Sequence, residues 1–327
     1  MKILYAASNN RNARIQLSRF LAAMRGTKHI IKIAAYIKSS PTNQSIDWTL
    51  DCLLNLYKPE LISLDNDNLK IYFDQVKYYE PDLIISDLEY FTSYIANVLN
   101  ITIWQCSSSL INNALVKSEK YNMGAFKYYA HPLSRIIKSS QKIANLLDNS
   151  DGNFVYSHFG DTHAPPQLQE GFEWIRPYHQ VGKTTVPCQH FAVAGLSSLD
   201  RQVIAWLKNY SDSVVFVEGS LEEHHNVLVK DIRNQEEYFC NLKNSPFFVC
   251  QGQTSFLADA FYNGKYSWIY PDYQDSETLL NSCMSQHLSL GRIINPDDDF
   301  EEKPQIIVST PTYNKSIKYL HERIEEL

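Results

Sequence analysis

Short apolar runs alternate with longer stretches of helical periodicity along the first 36 residues. "KILYAA" at residues 2–7 is such a run, and polar "SNNRN" follows it. In "ARIQLSRFLAAM" the apolar residues recur at the spacing of one helix face, and "IIKIAAY" is a second apolar run. Continuous apolar runs of this length are typical of strands that are buried on both faces. The pattern therefore predicts a strand, a helix and a second, parallel strand.

The same alternation continues through the first half of the chain. Apolar runs typical of strands lie at residues 81–87, 101–106, 153–157 and 172–178. "YFTSYIANVLN" has helical periodicity between the first two of these runs, and the polar "HQVGKTTVP" (179–187) predicts a linker. We therefore predict a first domain at residues 1–183, in which helices cover a parallel sheet.

A second series of strands follows the linker. The runs are "HFAVAG" (190–195), "SVVFVEG" (213–219), "PFFVCQG" (246–252) and "YSWIYP" (266–271), each with a helical segment after it. We predict a second domain at residues 184–310 and a helix at 311–327 that packs back toward the first domain. The predicted class is α/β, with two Rossmann-like, doubly wound domains facing a cleft. Ligands of such domains bind beyond the carboxyl ends of the strands.

Composition narrows the class of protein. The chain has 327 residues, of which 44% are hydrophobic, enough to fill two cores. It has neither an apolar run of roughly 20 residues nor the apolar core of a signal peptide, so we expect a cytoplasmic protein. The six cysteines are scattered without a C-x-x-C pair, which indicates reduced residues and no zinc site or disulfide framework.

The stretch from Gln251 to Ser282 combines a glycine turn, a helix and a loop rich in carboxylates. The backbone N–H groups at the start of that helix form an anion site, which would hold a diphosphate. Asp259, further along the helix, would then accept hydrogen bonds from a ribose, and the later polar groups match the hydroxyls of a sugar. The predicted donor-binding residues are Gly252, Gln253, Thr254, Ser255, Asp259, Asp275, Glu277 and Asn281.

Two motifs in this stretch, "DAFYNGKYSWIYP" and "DSETLLNS", carry a family resemblance. They resemble the donor site of the GT-B nucleotide-sugar glycosyltransferases, in the branch of the UDP-glycosyltransferases and the lipid-II-forming enzyme. Asp259 stands where that family has glutamate, and Thr278 stands where glutamine would contact the sugar. The resemblance implies a UDP-sugar as donor substrate, no further cofactor and no metal.

The catalytic base is not given by the resemblance, because "SNNRN" lacks the histidine that many relatives have after the first strand. Asp87, at the carboxyl end of a predicted strand, is our first candidate, and a helix N-cap is its structural alternative. Glu89 is the second candidate. His158 would contact the leaving phosphate or serve as an alternative base. It lies near Asp161 and His163, but this loop spacing does not predict a metal site.

The acceptor is predicted from charge. The chain has a net charge of -6, yet residues 1–50 hold eight basic residues and one acid. In the resembling family the acceptor lies on the first domain, where Asn9, Asn10, Arg11 and Arg14 would meet it. We expect an anionic acceptor, with hydroxymethylcytosine in DNA as the leading candidate for glucosyl or arabinosyl transfer. The sequence also resembles tailed-phage enzymes in style, which would place the protein in the cytoplasm of a host.

Three alternatives stay open. The acceptor is a lipid-linked sugar or a small molecule in the first of them. In the second, the protein binds nucleotide sugars without catalysis. In the third, it is an epimerase of the same two-domain architecture, acting on the donor alone.

Overall fold

The structure is a computed structural model that describes part of the chain. The described residues are 1–8, 11–36, 60–64, 69–122, 143–179, 182, 192–196, 201–207, 213–217, 227–231, 235–245, 247–272, 275–294, 314 and 316–327. Within them, no helix has the length and apolar character needed to cross a bilayer.

Strands and helices alternate along the chain. The strands are β1 Lys2–Ala6, β2 Ile30–Tyr36, β3 Glu60–Leu64, β4 Leu83–Ser86, β5 Ile103–Ser107, β6 Gly152–Tyr156, β7 Phe172–Arg176, β8 Ala192–Leu196, β9 Ser213–Val217, β10 Leu228–Asp231, β11 Phe247–Cys250, β12 Ser267–Ile269, β13 Gly291–Ile293 and β14 Lys318–Tyr319. The helices that surround them are α1 Arg11–Met24, α2 Leu69–Tyr79, α3 Tyr90–Leu99, α4 Ile111–Ala114, α5 Lys117–Asn122, α6 Arg201–Leu207, α7 Gln235–Asn244, α8 Thr254–Tyr262, α9 Ser276–His287 and α10 Leu320–Ile324.

The strands form two separate sheets. The first sheet has the order β14-β7-β6-β5-β4-β1-β2-β3, and the second has the order β10-β9-β8-β11-β12-β13. The paired strands are parallel in both sheets. In each sheet the order reverses beside the first strand of the domain, as in doubly wound nucleotide-binding folds. The predicted class of two Rossmann-like domains is confirmed.

Burial on both faces explains the continuous apolar runs. In β1, Ile3 and Tyr5 belong to a cluster that includes residues of α1 and α10. Leu4 and Ala6 belong to the cluster on the opposite face, which includes residues of α2 and α3. Successive side chains of a strand point to opposite faces, so a strand covered on both sides has few polar positions.

The two domains share one apolar cluster. It contains Leu110 and Phe159, which follow strands of the first sheet, together with Phe216 and Phe256 of the second domain. Residues that follow β5 and β6 therefore pack against the second domain. The carboxyl ends of the two sheets consequently face each other, with α8 and α9 between them.

The segment at 316–327 returns to the first domain. Lys318 of β14 pairs with Ile175 of β7, and Leu320 and Ile324 of α10 lie in the same cluster as α1. The predicted boundaries at 183/184 and 310/311 lie outside the described residues and stay predictions.

Candidate active site

A glycine turn joins β11 to α8, as the sequence predicts. Gly252 has a φ of +86°, which side chains disfavour. A Cβ on Gly252 would lie 2.5 Å from Ser282 Oγ and 2.7 Å from the carbonyl oxygen of Thr278. Position 252 therefore requires glycine for two reasons: its positive backbone angle φ and the close approach of the turn to α9.

The N-terminus of α8 is buried beside this turn. Gln253 is the N-cap residue of the helix and has an extended backbone conformation. Thr254 and Ser255 are 2% and 8% exposed, and within the described part of the chain Ser255 Oγ has no hydrogen-bond partner. Buried N–H groups and the helix dipole together favour an anion at this position.

Asn281 of α9 is a further polar residue beside the N-terminus of α8. Its Nδ2 donates a hydrogen bond of 3.0 Å to Thr254 Oγ1. Its Oδ1 is buried and, among the described residues, has no hydrogen-bond partner. Asn281 therefore offers an acceptor to a ligand beside the first turn of α8.

Glu277 connects the two domains at the same place. Ser109, which follows β5 in the first domain, donates a hydrogen bond of 2.5 Å to Glu277 Oε2. Thr254 Oγ1 donates one of 3.3 Å to Glu277 Oε1. Asp275 caps α9 by accepting a hydrogen bond of 3.0 Å from the backbone N–H of Glu277. The pKa of Glu277 is raised to about 7, mainly by burial and also by the charges of Asp275 and Asp87, while the hydrogen bond from Ser109 acts in the opposite direction.

Asp87 lies at the carboxyl end of β4, where the sequence predicts a catalytic base. Its side chain is 1% exposed, and Ser8, which follows β1, donates a hydrogen bond of 2.9 Å to Asp87 Oδ2. Burial raises the pKa of Asp87 to about 6, although hydrogen bonds from Ser107 and Ser8 act in the opposite direction. The next residue, Leu88, has a φ of +56°, a strained angle of the kind found at functional sites.

Glu89 has a different environment. Its oxygens accept hydrogen bonds from the backbone N–H groups of Phe91 at 3.2 Å and Thr92 at 2.6 Å, so it is the N-cap of α3. The helix cap that we considered for Asp87 is thus formed by Glu89. Both Glu89 oxygens are engaged in the cap, which favours a structural role for this residue.

His158 is buried against aromatic rings at the domain interface. Its ring centroid lies 4.1 Å from that of Phe159 and 5.4 Å from that of Phe261, which belongs to α8. Burial lowers the pKa of His158 to about 3, so the ring is neutral and a weak base near pH 7. Its Nδ1 has no hydrogen-bond partner within the described residues.

From the sequence we expected Asp259 to be accessible to a ribose, but its carboxylate is already paired with Arg19. Both of its oxygens accept hydrogen bonds of 2.8 Å from Arg19 in α1, and the carboxylate side chain is 1% exposed. Burial raises the pKa of Asp259, and the charge of Arg19 lowers it. A ribose would reach Asp259 only if this ion pair between the domains opened.

A third polar contact between the domains surrounds Asp161. Arg176 of β7 donates two hydrogen bonds to the Asp161 carboxylate, at 2.8 and 2.7 Å, and Tyr262 of α8 donates another at 2.6 Å. His179 stacks on Tyr262 with ring centroids 3.6 Å apart. In the described part of the chain, no group of His, Cys, Asp and Glu residues could hold a metal ion.

The predicted acceptor residues fall at the edge of the described part of the chain. Asn9 and Asn10 lie outside the described residues. Arg11 and Arg14 belong to α1, but their side chains lie outside the described part as well. Their roles stay predictions.

Comparison with known proteins adds evidence on the fold. No protein-family model and no curated protein sequence matches the chain. Among solved structures, the chain is similar to the spinosyn forosaminyltransferase SpnP, with a TM-score of 0.55 and 14% identity over 91% of this chain and 86% of that one. It is also similar to the Streptomyces sp. SF2575 glycosyltransferase SsfS6 complexed with thymidine diphosphate, with a TM-score of 0.54 and 13% identity over 90% and 87%.

A third similar structure contains an acceptor. This is the spinosyn rhamnosyltransferase SpnG complexed with spinosyn aglycone, with a TM-score of 0.56 and 10% identity over 91% of this chain and 87% of that one. All three alignments cover both domains. The chain has the GT-B fold.

The GT-B fold accounts for the position of the cleft but not for its cross-domain contacts. The sequence did not predict the cross-domain contacts of Arg19, Ser109 and Asp161, nor the hydrogen bond from Ser8 to Asp87 within the first domain. Ser8 directly follows a strand, so the rule that ligands bind at strand ends could have indicated it. Arg19 pairs with Asp259, which lies 240 positions away in the sequence, and a contact over that separation cannot be predicted from a local sequence pattern.

Proposed function

We propose that this protein transfers a sugar from a nucleoside-diphosphate sugar to a hydroxyl group. One observation carries the proposal. The buried N-terminus of α8, suited to a diphosphate, and the buried Asp87, suited to a general base, are both close to Glu277. Glu277 contacts the first residue of α8, and the charge of Asp87 contributes to its raised pKa, so the two groups form the two sides of the proposed site.

Each side has a separate chemical role in this proposal. Asp87 accepts the proton of the acceptor hydroxyl, and the resulting oxygen nucleophile attacks the anomeric carbon of the sugar. The bond from that carbon to the diphosphate oxygen breaks, and its electron pair leaves with the diphosphate. The N–H groups of the first turn of α8 stabilise the charge that develops on the leaving group. Ser8 orients Asp87 through their hydrogen bond.

For the donor, we propose a pyrimidine nucleoside diphosphate sugar. The resemblance of the 251–282 stretch to UDP-sugar enzymes and the thymidine diphosphate in a similar structure both support this choice. The direct test is incubation with UDP-glucose and TDP-glucose, followed by mass spectrometry of products. Binding without hydrolysis or transfer under any condition would favour a non-catalytic nucleotide-sugar-binding protein.

For the acceptor, two observations favour two classes. The similar structures include enzymes named for spinosyn, one of them with an aglycone bound, which favours a small hydroxylated molecule. The eight basic residues among the first 50 favour an anionic acceptor, for which we propose hydroxymethylcytosine in DNA. Parallel assays with hydroxymethylated duplex and with a panel of small hydroxylated aglycones, spinosyn aglycone among them, decide between the classes by the mass of the glycosylated product.

A further inference from the structure

Glu277 carries the inference because of where its carboxyl group lies. It is nine-tenths buried and contacts Thr254, the first residue of α8, where the proposed function seats the diphosphate. Its other oxygen accepts the hydrogen bond from Ser109 of the first domain. With the diphosphate seated as proposed, the carboxyl group of Glu277 is a neighbour of the phosphates, a different role from the contact with sugar hydroxyls that we expected from the sequence.

A charged carboxylate and a diphosphate at one buried helix terminus repel each other. Two like charges a few ångströms apart in a partly buried site repel each other strongly, and one of them takes up a proton where it can. Each phosphate group of a nucleotide sugar has one ester and one anhydride link, so it lacks the second proton of a phosphate monoester that titrates near pH 6. The proton must then go to the protein.

The charged groups around Glu277 act in the same direction. Asp275, the N-cap residue of the helix that contains Glu277, and Asp87, which follows β4 in the first domain, both disfavour the ionised form of Glu277. Hydrogen bonds from Ser109 and Ser108 favour the ionised form, but burial outweighs them, and the pKa of Glu277 is about 7. A neighbouring diphosphate would raise that pKa further.

We propose, on the basis of the proposed function, that Glu277 takes up a proton when a nucleotide sugar binds and donates a hydrogen bond from its carboxyl group to the diphosphate. Donor binding then depends on pH through Glu277. Catalysis requires Asp87 in its ionised form, and this proposal places the proton of the pair on Glu277 when the donor is bound.

Isothermal titration calorimetry with UDP-glucose and TDP-glucose tests this directly, in buffers of different ionisation enthalpy from about pH 6 to pH 9. The parent protein should take up close to one proton per bound nucleotide sugar above pH 7, and its Kd should rise about tenfold per pH unit there. Glu277→Gln keeps the shape of the side chain and its hydrogen-bonding capacity without a titrating proton. It should bind without proton uptake, and at about pH 8 it should bind roughly tenfold more tightly than the parent.

Two controls make the result specific. Glu236→Gln changes an exposed glutamate in α7 of the same domain and should leave proton uptake unchanged. Asp87→Asn should keep the uptake, since the proton belongs to Glu277. Weaker binding by Glu277→Gln, together with no proton uptake by the parent, would overturn the inference and return Glu277 to the sugar hydroxyls as an ionised acceptor. If the folded parent binds neither nucleotide sugar at any pH, the proposed function itself fails, and the inference fails with it.

Discussion

Arg19 and Asp259 form an ion pair between the domains, in which Arg19 Nη2 donates hydrogen bonds of 2.8 Å to both carboxylate oxygens of Asp259. Arg19 lies in α1 of the first domain, and Asp259 lies in α8, the helix that begins at the glycine turn. The side chains are 12% and 1% exposed, so water does little to screen the pair. This pair therefore contributes to the relative position of the two domains, and neither charge is compensated without the other.

The first prediction concerns the stability of this pair. Removal of one partner leaves a buried charge without compensation, and we expect Arg19→Met or Asp259→Asn to lower the free energy of unfolding by about 3–5 kcal/mol. The double variant Arg19→Met/Asp259→Leu should lose much less, because no charge stays buried. Urea denaturation followed by tryptophan fluorescence measures the differences. Arg25→Met, an exposed arginine just after α1, is the control and should be close to neutral. Equal losses in the double and single variants would contradict the coupling.

The second prediction concerns Asp87 as the base. Asp87→Asn should lower kcat by roughly 100-fold or more and leave the Kd of the nucleotide sugar within a few-fold of the parent. In the parent, kcat/KM should rise with pH on a limb near pH 6, the pKa of Asp87, and this limb should disappear in the variant. Asp74→Asn, an exposed position on α2, serves as the matched control. Turnover close to that of the parent would assign the base to another residue.

The third prediction is that the same substitution stabilises the fold. The pKa of Asp87 in the folded protein is about 6, above its ordinary value of 3.8, so the folded state binds the proton more tightly than the unfolded chain does. The contribution of Asp87 to stability is present below about pH 4 and is lost as the pH rises to about 6. Asp87→Asn should therefore raise Tm at pH 7 and have little effect at pH 4. A lower Tm at pH 7 would mean that the ionised carboxylate stabilises the site.

The fourth prediction concerns Gly252. A side chain at this position meets both an unfavourable φ of +86° and atoms of α9 at 2.5 and 2.7 Å. Gly252→Ala should lower stability by more than about 1 kcal/mol and should abolish donor binding, because the turn orients the first N–H groups of α8. Gly171→Ala separates the two causes, since Gly171 has a φ of +83° and, among the described residues, no atom lies within 4 Å of the position that a Cβ would take there. It should show the cost of the backbone angle alone and retain donor binding.

The fifth prediction tests the anionic acceptor. If Arg11 and Arg14 contact phosphates of DNA, binding to hydroxymethylated duplex should weaken steeply with salt, and the double change to alanine should reduce the salt slope by about two units. Lys28→Ala, at an exposed position beyond α1, should have a smaller effect. Filter binding at several salt concentrations provides the slopes. No measurable duplex affinity at low salt, together with glycosylation of a small aglycone, would exclude DNA as the acceptor.

Local pattern was sufficient for most of the fold. The runs at 2–7, 153–157, 172–178 and 213–219 correspond to β1, β6, β7 and β9 within two residues at each end. Strands buried on both faces leave this signal because few polar residues can occupy them. The strands β3, β10 and β13 at the sheet edges, and the two-residue β14, were not predicted, because edge and very short strands lack a continuous apolar run.

The candidate site was only partly predictable, for a physical reason. The turn at Gly252 and the position of Asp87 follow from strand ends, which sequence periodicity locates. The partner of Asp259 cannot be predicted in this way, because a buried carboxylate can accept its hydrogen bonds from a ligand or from a residue anywhere in the chain. Likewise, nothing in "DSETLLNS" distinguishes a glutamate that meets sugar hydroxyls from one that meets Ser109 of the other domain.

The pairing of β14 with β7 has a consequence for how the protein folds during synthesis. The first sheet includes Lys318, which pairs with Ile175 more than 140 positions earlier. Until the ribosome has added that late segment, β7 is an unpaired edge strand, open to pairing with other chains. Parallel pairing over such a separation is also slow, because a long loop must close first. In the nascent first domain, the edge of β7 would therefore stay exposed while the second domain is being synthesised. We expect chaperone binding or aggregation to occur in this interval.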